Sequence, residues 1–328
     1  MLYREDRSLV ALLYVDDLLI KTKHKSTFTQ TVEKIKSKFP IGSANTAKLY
    51  LGQRILQSTN CIKVDQEAMI KSLLIKYKME DCNPAKTPMS SERLKEPKEL
   101  SNEPYRSLVG SLLYLSTHTR PDIAYAIGEL SRYNEKHDIN HWLAAKRVLR
   151  YLKHTQNYCM EYTKRDNTAI IGYCDSDWAG SWKEQGEEAS KSTMGYIFIK
   201  SGGVISSSSK RQSTVALSTA EAEYIALATA GQEALHLRQL DKDMTGIEPE
   251  IDLYCDNSAA IQLAKNETFQ SRAKHIAIRY HFIRKLHKEG LIKIKHISRD
   301  NNLADIMTKP LGSNKITGTC GQILKKLD

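Results

Sequence analysis

The chain has 328 residues, enough for two domains of ordinary size, and 41% of them are hydrophobic, which excludes disorder as the default state. Its 49 Lys and Arg against 38 Asp and Glu leave a formal charge of +11, which favours a polyanionic partner, because clustered cations release counterions from phosphate backbones. Six cysteines (Cys61, Cys82, Cys159, Cys174, Cys255 and Cys320) form no CxxC pair and no zinc spacing, so they read as reduced, packed thiols. The apolar run LVALLYVDDLLI is interrupted by Asp16 and Asp17 and is too short to cross a bilayer, and no signal peptide is read, so an intracellular protein without a membrane partner is expected.

In chain order, VALLY and LLIKT read as two strands around an acidic turn, because β-branched and aromatic residues flank Asp16 and Asp17. Val32, Ile35 and Phe39 at helical spacing predict a helix from about Phe28 to Phe39, which Pro40 stops. Residues 84–104, rich in Pro, Ser, Lys and Glu, lack apolar periodicity and read as a linker. A helix near His141 to His154 places Trp142, Ala145, Leu149 and Leu152 on one face, with Lys146, Arg147, Arg150 and Lys153 elsewhere around it. From Ala169 the segments AIIGYCD, MGYIFI, VISSSS and STVALS read as short strands of an antiparallel meander. Glu223 then opens a helix with Leu227, Ala230, Ala234 and Leu237 in register, and IDLYCD, a helix, LIKIKHI and a last helix complete an α/β alternation without an internal repeat.

Asp175 and Asp256 end the apolar strands IIGYCD and IDLYCD, Glu223 lies early in the helix STAEAEYIALATA, and Asp305 lies on the helix NLADIMTK. A mixed sheet that gathers these four acids creates a charge problem that hard divalent cations with oxygen ligands solve. Two such ions would activate a water on one side of a phosphodiester and stabilise the departing oxygen on the other. Asp177 and Glu221 compete for two of the places. Asp177 reads as a turn residue, because Asp175 is the acid that ends the apolar run, and Glu223 is preferred to Glu221 for its E-x-x-A spacing to Ala226. His296 falls within LIKIKHI and reads as structural, leaving no histidine assigned as a general acid.

CDSDWAG, KSTMGY, KRQSTVALSTAEAEY, LYCDNSAAIQLAKN, KHIAIRYHFIR and LADIMTKPL resemble the successive blocks of copia-type retrotransposon ribonuclease H domains, over about residues 165 to 312. YVDD at Tyr14 to Asp17 resembles the palm motif of reverse transcriptases, YLGQRI the following palm hairpin, and YRSLVGSLLYLSTHTRPDIAYAIGELSRY the helical segment of copia-type polyproteins. The resemblance implies an α/β (α+β) chain in four parts: a partial reverse-transcriptase palm and thumb region (1–83), a linker and helical connection (84–164), a ribonuclease H-like mixed five-stranded sheet flanked by helices (165–312), and a carboxyl-terminal tail (313–328). It implies Asp175, Glu223, Asp256 and Asp305 as catalytic ligands of two Mg2+ or Mn2+ ions, and an RNA/DNA hybrid and other parts of a Pol polyprotein as partners. The setting it implies is a cytoplasmic virus-like particle or the nucleus.

A polymerase needs a further upstream aspartate, and none fits before Leu13, so Asp16 and Asp17 are expected to be remnants of a polymerase site in a carboxyl-terminal fragment. In KHIAIRYHFIRK, His275, Arg279, His281 and Arg284 lie opposite Ile278, Phe282 and Leu286, and Arg279, Arg284 and Lys285 are candidates for gripping the hybrid's phosphates, with a solvated helix face as the alternative. The rival to a nuclease is a catalytically silent nucleic-acid-binding remnant. A transposase or integrase on a related fold is disfavoured by the acid in the first helix.

Overall fold

The computed structural model describes residues 2–164, 169–178, 191–265 and 274–327, the side chains of 274–280 excepted. The front segment forms an antiparallel sheet of β1 (Leu2–Tyr3), β2 (Leu9–Tyr14) and β3 (Asp17–Thr22), followed by helix α1 (Lys25–Lys36). The helix starts earlier than the apolar spacing predicts and ends before Phe39, which is exposed. Val15 takes φ 49° in the tight turn, leaving Asp16 and Asp17 exposed at its tip.

Next come β4 (Leu49–Tyr50), β5 (Gln53–Gln57), β6 (Cys61–Asp65) and α2 (Glu67–Lys76), then the helices α3 (Tyr105–His118), α4 (Ala124–Ser131) and α5 (Ile139–His154). Asp138 caps α5 by accepting from the Asn140 and His141 amides. The apolar face of α5 is buried as its spacing predicts, and its cations act elsewhere. Arg147 donates to Thr87 Oγ1 at 2.8 Å, Arg150 to Asn83 O at 2.6 Å and Lys153 to Cys82 O at 2.9 Å, so the irregular segment after α2 is tied along α5.

The chain continues with β7 (Tyr158–Thr163), β8 (Ile170–Asp177), β9 (Thr193–Lys200), β10 (Gly203–Arg211), α6 (Thr219–Thr245), β11 (Ile251–Cys255), α7 (Ser258–Lys265), α8 (Lys274–Lys288), β12 (Lys293–His296), a 3-10 turn (Leu303–Met307), α9 (Ser313–Ile323) and β13 (Lys325–Lys326). A mixed five-stranded sheet runs in the order β10-β9-β8-β11-β12, antiparallel on the β9 and β10 side of β8 and parallel on the β11 and β12 side. A second sheet runs β13-β7-β6-β5-β4.

Four local expectations change. STVALS is a loop rather than a strand, held by the Trp178 indole donating to Ala216 O at 3.0 Å and by burial of Ala216 against Ala222 and Ile225. Asp177 lies within β8, paired with Thr193, and is not a turn residue. Asp305 sits on a 3-10 turn instead of an α-helix. Residues 313–328, expected as a tail, supply α9 and β13, because Ile316, Cys320 and Ile323 form a buried helical face.

Two apolar clusters sandwich the mixed sheet. On one face Ile170, Cys174, Phe198 and Leu253 pack against Tyr224, Leu227, Ala230 and Ala234 of α6, with α7 and α8 behind. On the other, Ile197 and Val204 join the cores of α3, α4 and α5, together with Leu303, Ile306 and Met307 and the apolar face of α9. Inside this second cluster, fully buried Arg120 donates to both Asp122 oxygens at 2.9 and 2.7 Å and to Thr155 O at 3.1 Å. Tyr151 OH donates to Asp122 Oδ2 at 2.7 Å and lies 3.5 Å from Cys320 Sγ of α9.

Removing one member of a buried ion pair strands the other charge, so Arg120→Ala should cost about 3 to 5 kcal/mol in urea unfolding. Replacing both partners, Arg120→Met with Asp122→Leu, should cost much less. A loss below about 1 kcal/mol for Arg120→Ala would show that water reaches Asp122.

Candidate active site

β8 and β11 are parallel neighbours, and their register, Tyr173 beside Tyr254, sets Asp175 beside Asp256; Asp256 directly follows β11 as expected, whereas Asp175 does not end its strand but lies two residues inside the end of β8. Short apolar strands make rigid platforms: Cys174 and Cys255 are fully buried in the α6-facing core, and each is followed at once by an acid. Asp175 pairs with Gly195 of β9, where a Cβ would lie 2.3 Å from Met307 Cβ. The absent side chain lets the Leu303–Met307 turn lie directly on the sheet, and this brings Asp305 to Asp175. Asn302 fixes that approach by accepting from Ala304 N at 3.1 Å while donating to Cys174 O at 2.9 Å. Thr308 Oγ1 donates to Asp175 Oδ2.

Glu223 enters from α6. Ser218 caps this helix through the Glu221 amide, and Glu221 Oε2 accepts from Leu217 N at 2.9 Å, so Glu221 is used at the exposed helix end. Two residues on, about 200° around the helix, Glu223 faces the sheet and is 4% exposed. Gln212 secures the helix by donating to Ala222 O at 2.9 Å and Ser176 Oγ at 3.2 Å.

The four expected acids therefore converge. Ligand atoms of Glu223, Cys255 and Asp256 lie within 4.8 Å of one another, as do those of Asp175, Asp256 and Asp305. Asp175 and Asp305 are buried, and Asp256 is nearly so, its side chain 6% exposed beside Arg299 Nε at 3.9 Å. Glu223 Oε2 is buried without a hydrogen-bond partner among the described residues. A set of hard carboxylate oxygens, among them Glu223 Oε2 with neither a hydrogen bond nor an ion pair among the described residues, fits a divalent cation. Two lysines that the sequence did not single out complete the site. Lys309 Nζ lies 2.5 Å from Asp305 Oδ1 and 3.5 Å from Asp175 Oδ2, and Lys315 Nζ contacts Asp305 Oδ2. The i,i+4 spacing of Asp305 and Lys309 is a readable signal, whereas Lys315 comes from a helix in the segment expected as a tail.

The remaining candidates are placed differently. Asp16 and Asp17 lie on the exposed front turn, outside every group of three metal-competent side chains among the described residues. Arg284 Nε and Nη2 both donate to Leu263 O at 3.3 Å, tying α8 to the end of α7, and exposed Lys285 faces Glu289 at 3.8 Å. The Arg279 side chain lies outside the described residues. His296, read as structural, is exposed at the end of β12 in register with Cys255.

A five-stranded mixed sheet in this order, with carboxylates gathered where its antiparallel and parallel halves meet, defines a ribonuclease H-like domain. The family model described as reverse transcriptase (RNA-dependent DNA polymerase) matches residues 2–91. The chain is 36% identical over 325 residues to the retrovirus-related Pol polyprotein from transposon TNT 1-94 of Nicotiana tabacum, covering 95% of this chain and 24% of the relative. It is 34% identical over 344 residues to that from transposon RE2 of Arabidopsis thaliana, covering 97% of this chain and 23% of the relative. The chain belongs to the copia-type retrotransposon Pol polyproteins, and spans about a quarter of the length of these two relatives. Among solved structures it is similar to a foamy viral protease-reverse transcriptase in complex with RNA/DNA hybrid, with a TM-score of 0.46, 14% identity, and coverage of 92% of this chain and 37% of that one.

Burial, then the charges of Asp175, Cys255 and Asp256, pushes the Glu223 carboxyl up to about 10. Burial also raises Asp175, to about 6, although Lys309 opposes the shift. Both values lie above those of the unfolded chain, so the metal-free native state holds protons that the unfolded state releases. The stability these groups contribute is present below the unfolded pKa values and is lost as pH rises through the folded ones. In chelator, the melting temperature of the parent should therefore fall from about pH 5 to about pH 9, and Glu223→Gln should make that fall shallower. Thermal melts across the range check this, and identical slopes would show that Glu223 is not held protonated.

Proposed function

We propose that this chain hydrolyses the RNA strand of RNA/DNA hybrids in a reaction dependent on Mg2+ or Mn2+, using Asp175, Glu223, Asp256 and Asp305. The observation that carries the reading is the convergence of four acids from four separate elements, with buried Glu223 Oε2 unpartnered. Membership of the Pol polyproteins and the +11 charge support a nucleic-acid substrate, and the order of the acids along the chain supports a hybrid. Bound divalent ions supply the Lewis acidity that readies a water for attack and steadies the departing oxygen. The protein's part is to hold the acids rigidly: Asp175 lies within β8 and Asp256 directly after β11, Glu223 is fixed by the α6 cap and Gln212, and Asp305 by Asn302 and Gly195.

A nucleic-acid-binding remnant without catalysis is the second reading, favoured by the lysine contacts on Asp305. DNA synthesis is not proposed for this chain alone, because Asp16 and Asp17 gather no third acid among the described residues.

A labelled hybrid incubated with and without Mg2+ separates the two readings. Asp256→Asn should lower cleavage by about 100-fold or more while leaving the melting curve close to the parent's. Glu223→Gln should lower cleavage at least about tenfold more than Glu221→Gln, which loses only a cap. Cleavage by Asp256→Asn at the parental rate, or equal losses at Glu221 and Glu223, would overturn the assignment.

A further inference from the structure

The four acids do not share their cations evenly. The two overlapping ligand sets meet at Asp256, one reaching toward α6 through Glu223 and Cys255, the other toward the Leu303–Met307 turn through Asp175 and Asp305. On the turn side two ammonium groups are already in place: Lys309 bridges Asp305 and Asp175, and Lys315 reaches the other oxygen of Asp305. They arrive from different elements, Lys309 just after the turn and Lys315 from the start of α9, and about a third of each side chain is exposed. On the α6 side Glu223 Oε2 has no hydrogen-bond partner among the described residues, and Asp256 faces the outer, exposed Arg299.

We propose that Lys309, assisted by Lys315, holds the Asp175–Asp305 place as an ammonium, so that the first divalent ion binds at Glu223 and Asp256 and the second must displace Lys309. This inference rests on the reading that the acids bind divalent ions. An ammonium and a hard cation seek the same carboxylate oxygens, and an ion entering beside Lys309 meets like charge at a few Å in a site largely closed to water. Lysine is suited to this role because its compact charge sits on a flexible four-carbon stem that can swing toward solvent, which a planar, forked guanidinium does less readily. Lys309 is thus a positioning residue that sets the order of ion binding.

Mn2+ titrated into the full chain without nucleic acid, followed by calorimetry and by the electron paramagnetic resonance signal of free Mn2+, tests the proposal. The parent should bind one ion, then a second at least about tenfold more weakly. Lys309→Met combined with Lys315→Met should strengthen the second step about tenfold or more and leave the first within about twofold, whereas Lys309→Arg should keep the second step weak. If circular dichroism shows that the double variant does not fold, Lys309→Met alone makes the same comparison, since Lys315 keeps Asp305 paired. Two equal steps in the parent, an unchanged second step in the variant, or equal strengthening of both steps would overturn the role of the lysines while leaving metal binding intact. A parent chain that binds no Mn2+ would overturn the metal reading itself, and this proposal with it.

Discussion

Carboxylates crowded together out of water repel one another and each loses hydration, and the region around β8 is built to bear that cost. The acids need strand ends that do not yield, a helix that enters at one depth, and a turn that lies flat on the sheet. Parallel pairing of β8 with β11 meets the first need, the α6 cap and Gln212 the second, and Gly195 with Asn302 the third. Each is a neutral packing or hydrogen-bonding device; the oxygens of Asp175 and Asp305 are then engaged by Thr308, Lys309 and Lys315, while Glu223 Oε2 has no hydrogen-bond partner among the described residues.

The charges are then handled in two ways. Asp305 and Asp175 are met by lysines, while Glu223, closed in by the α6-facing core, carries its proton in the metal-free chain. The same cluster thus contains a side already neutralised by fixed cations and a side neutralised by protonation. Glu223 Oε2 has no side chain paired with it among the described residues, whereas Asp305 can change partners only if a lysine moves. That asymmetry is a property of this chain's own residues, and it governs how the site responds to pH and to ions.

Much of the site was legible because its signals are local. IIGYCD and IDLYCD are short apolar runs that stop at an acid, and the period of α6 separates Glu221 from Glu223 by their angle around the helix. What escaped depends on partners distant in sequence. STVALS has the composition of a strand, but its conformation is set by Trp178, 38 residues before Ala216. Arg284 looks like a free cation in its own helix and is engaged at the end of α7, while α9 looks like a tail until its apolar face meets Tyr151 and the core of α3 to α5. Gly195 has no readable role until Met307 lies over it. Local periodicity shows which face of an element is buried, but not what covers it.

The cover of the mixed sheet comes from two sources, and one of them is the helical connection. Ile197 and Val204 of β9 and β10, and Leu303, Ile306 and Met307 of the turn that carries Asp305, are buried in the same cluster as α3, α4 and α5. The segment that precedes the mixed sheet is therefore one of its walls. Cutting the chain near residue 164 would strip apolar side chains from the face opposite α6 and remove packing from the turn that carries Asp305. A cavity opened under Ile306 by a substitution in α3 or α4 would reach the acids through a single turn of backbone.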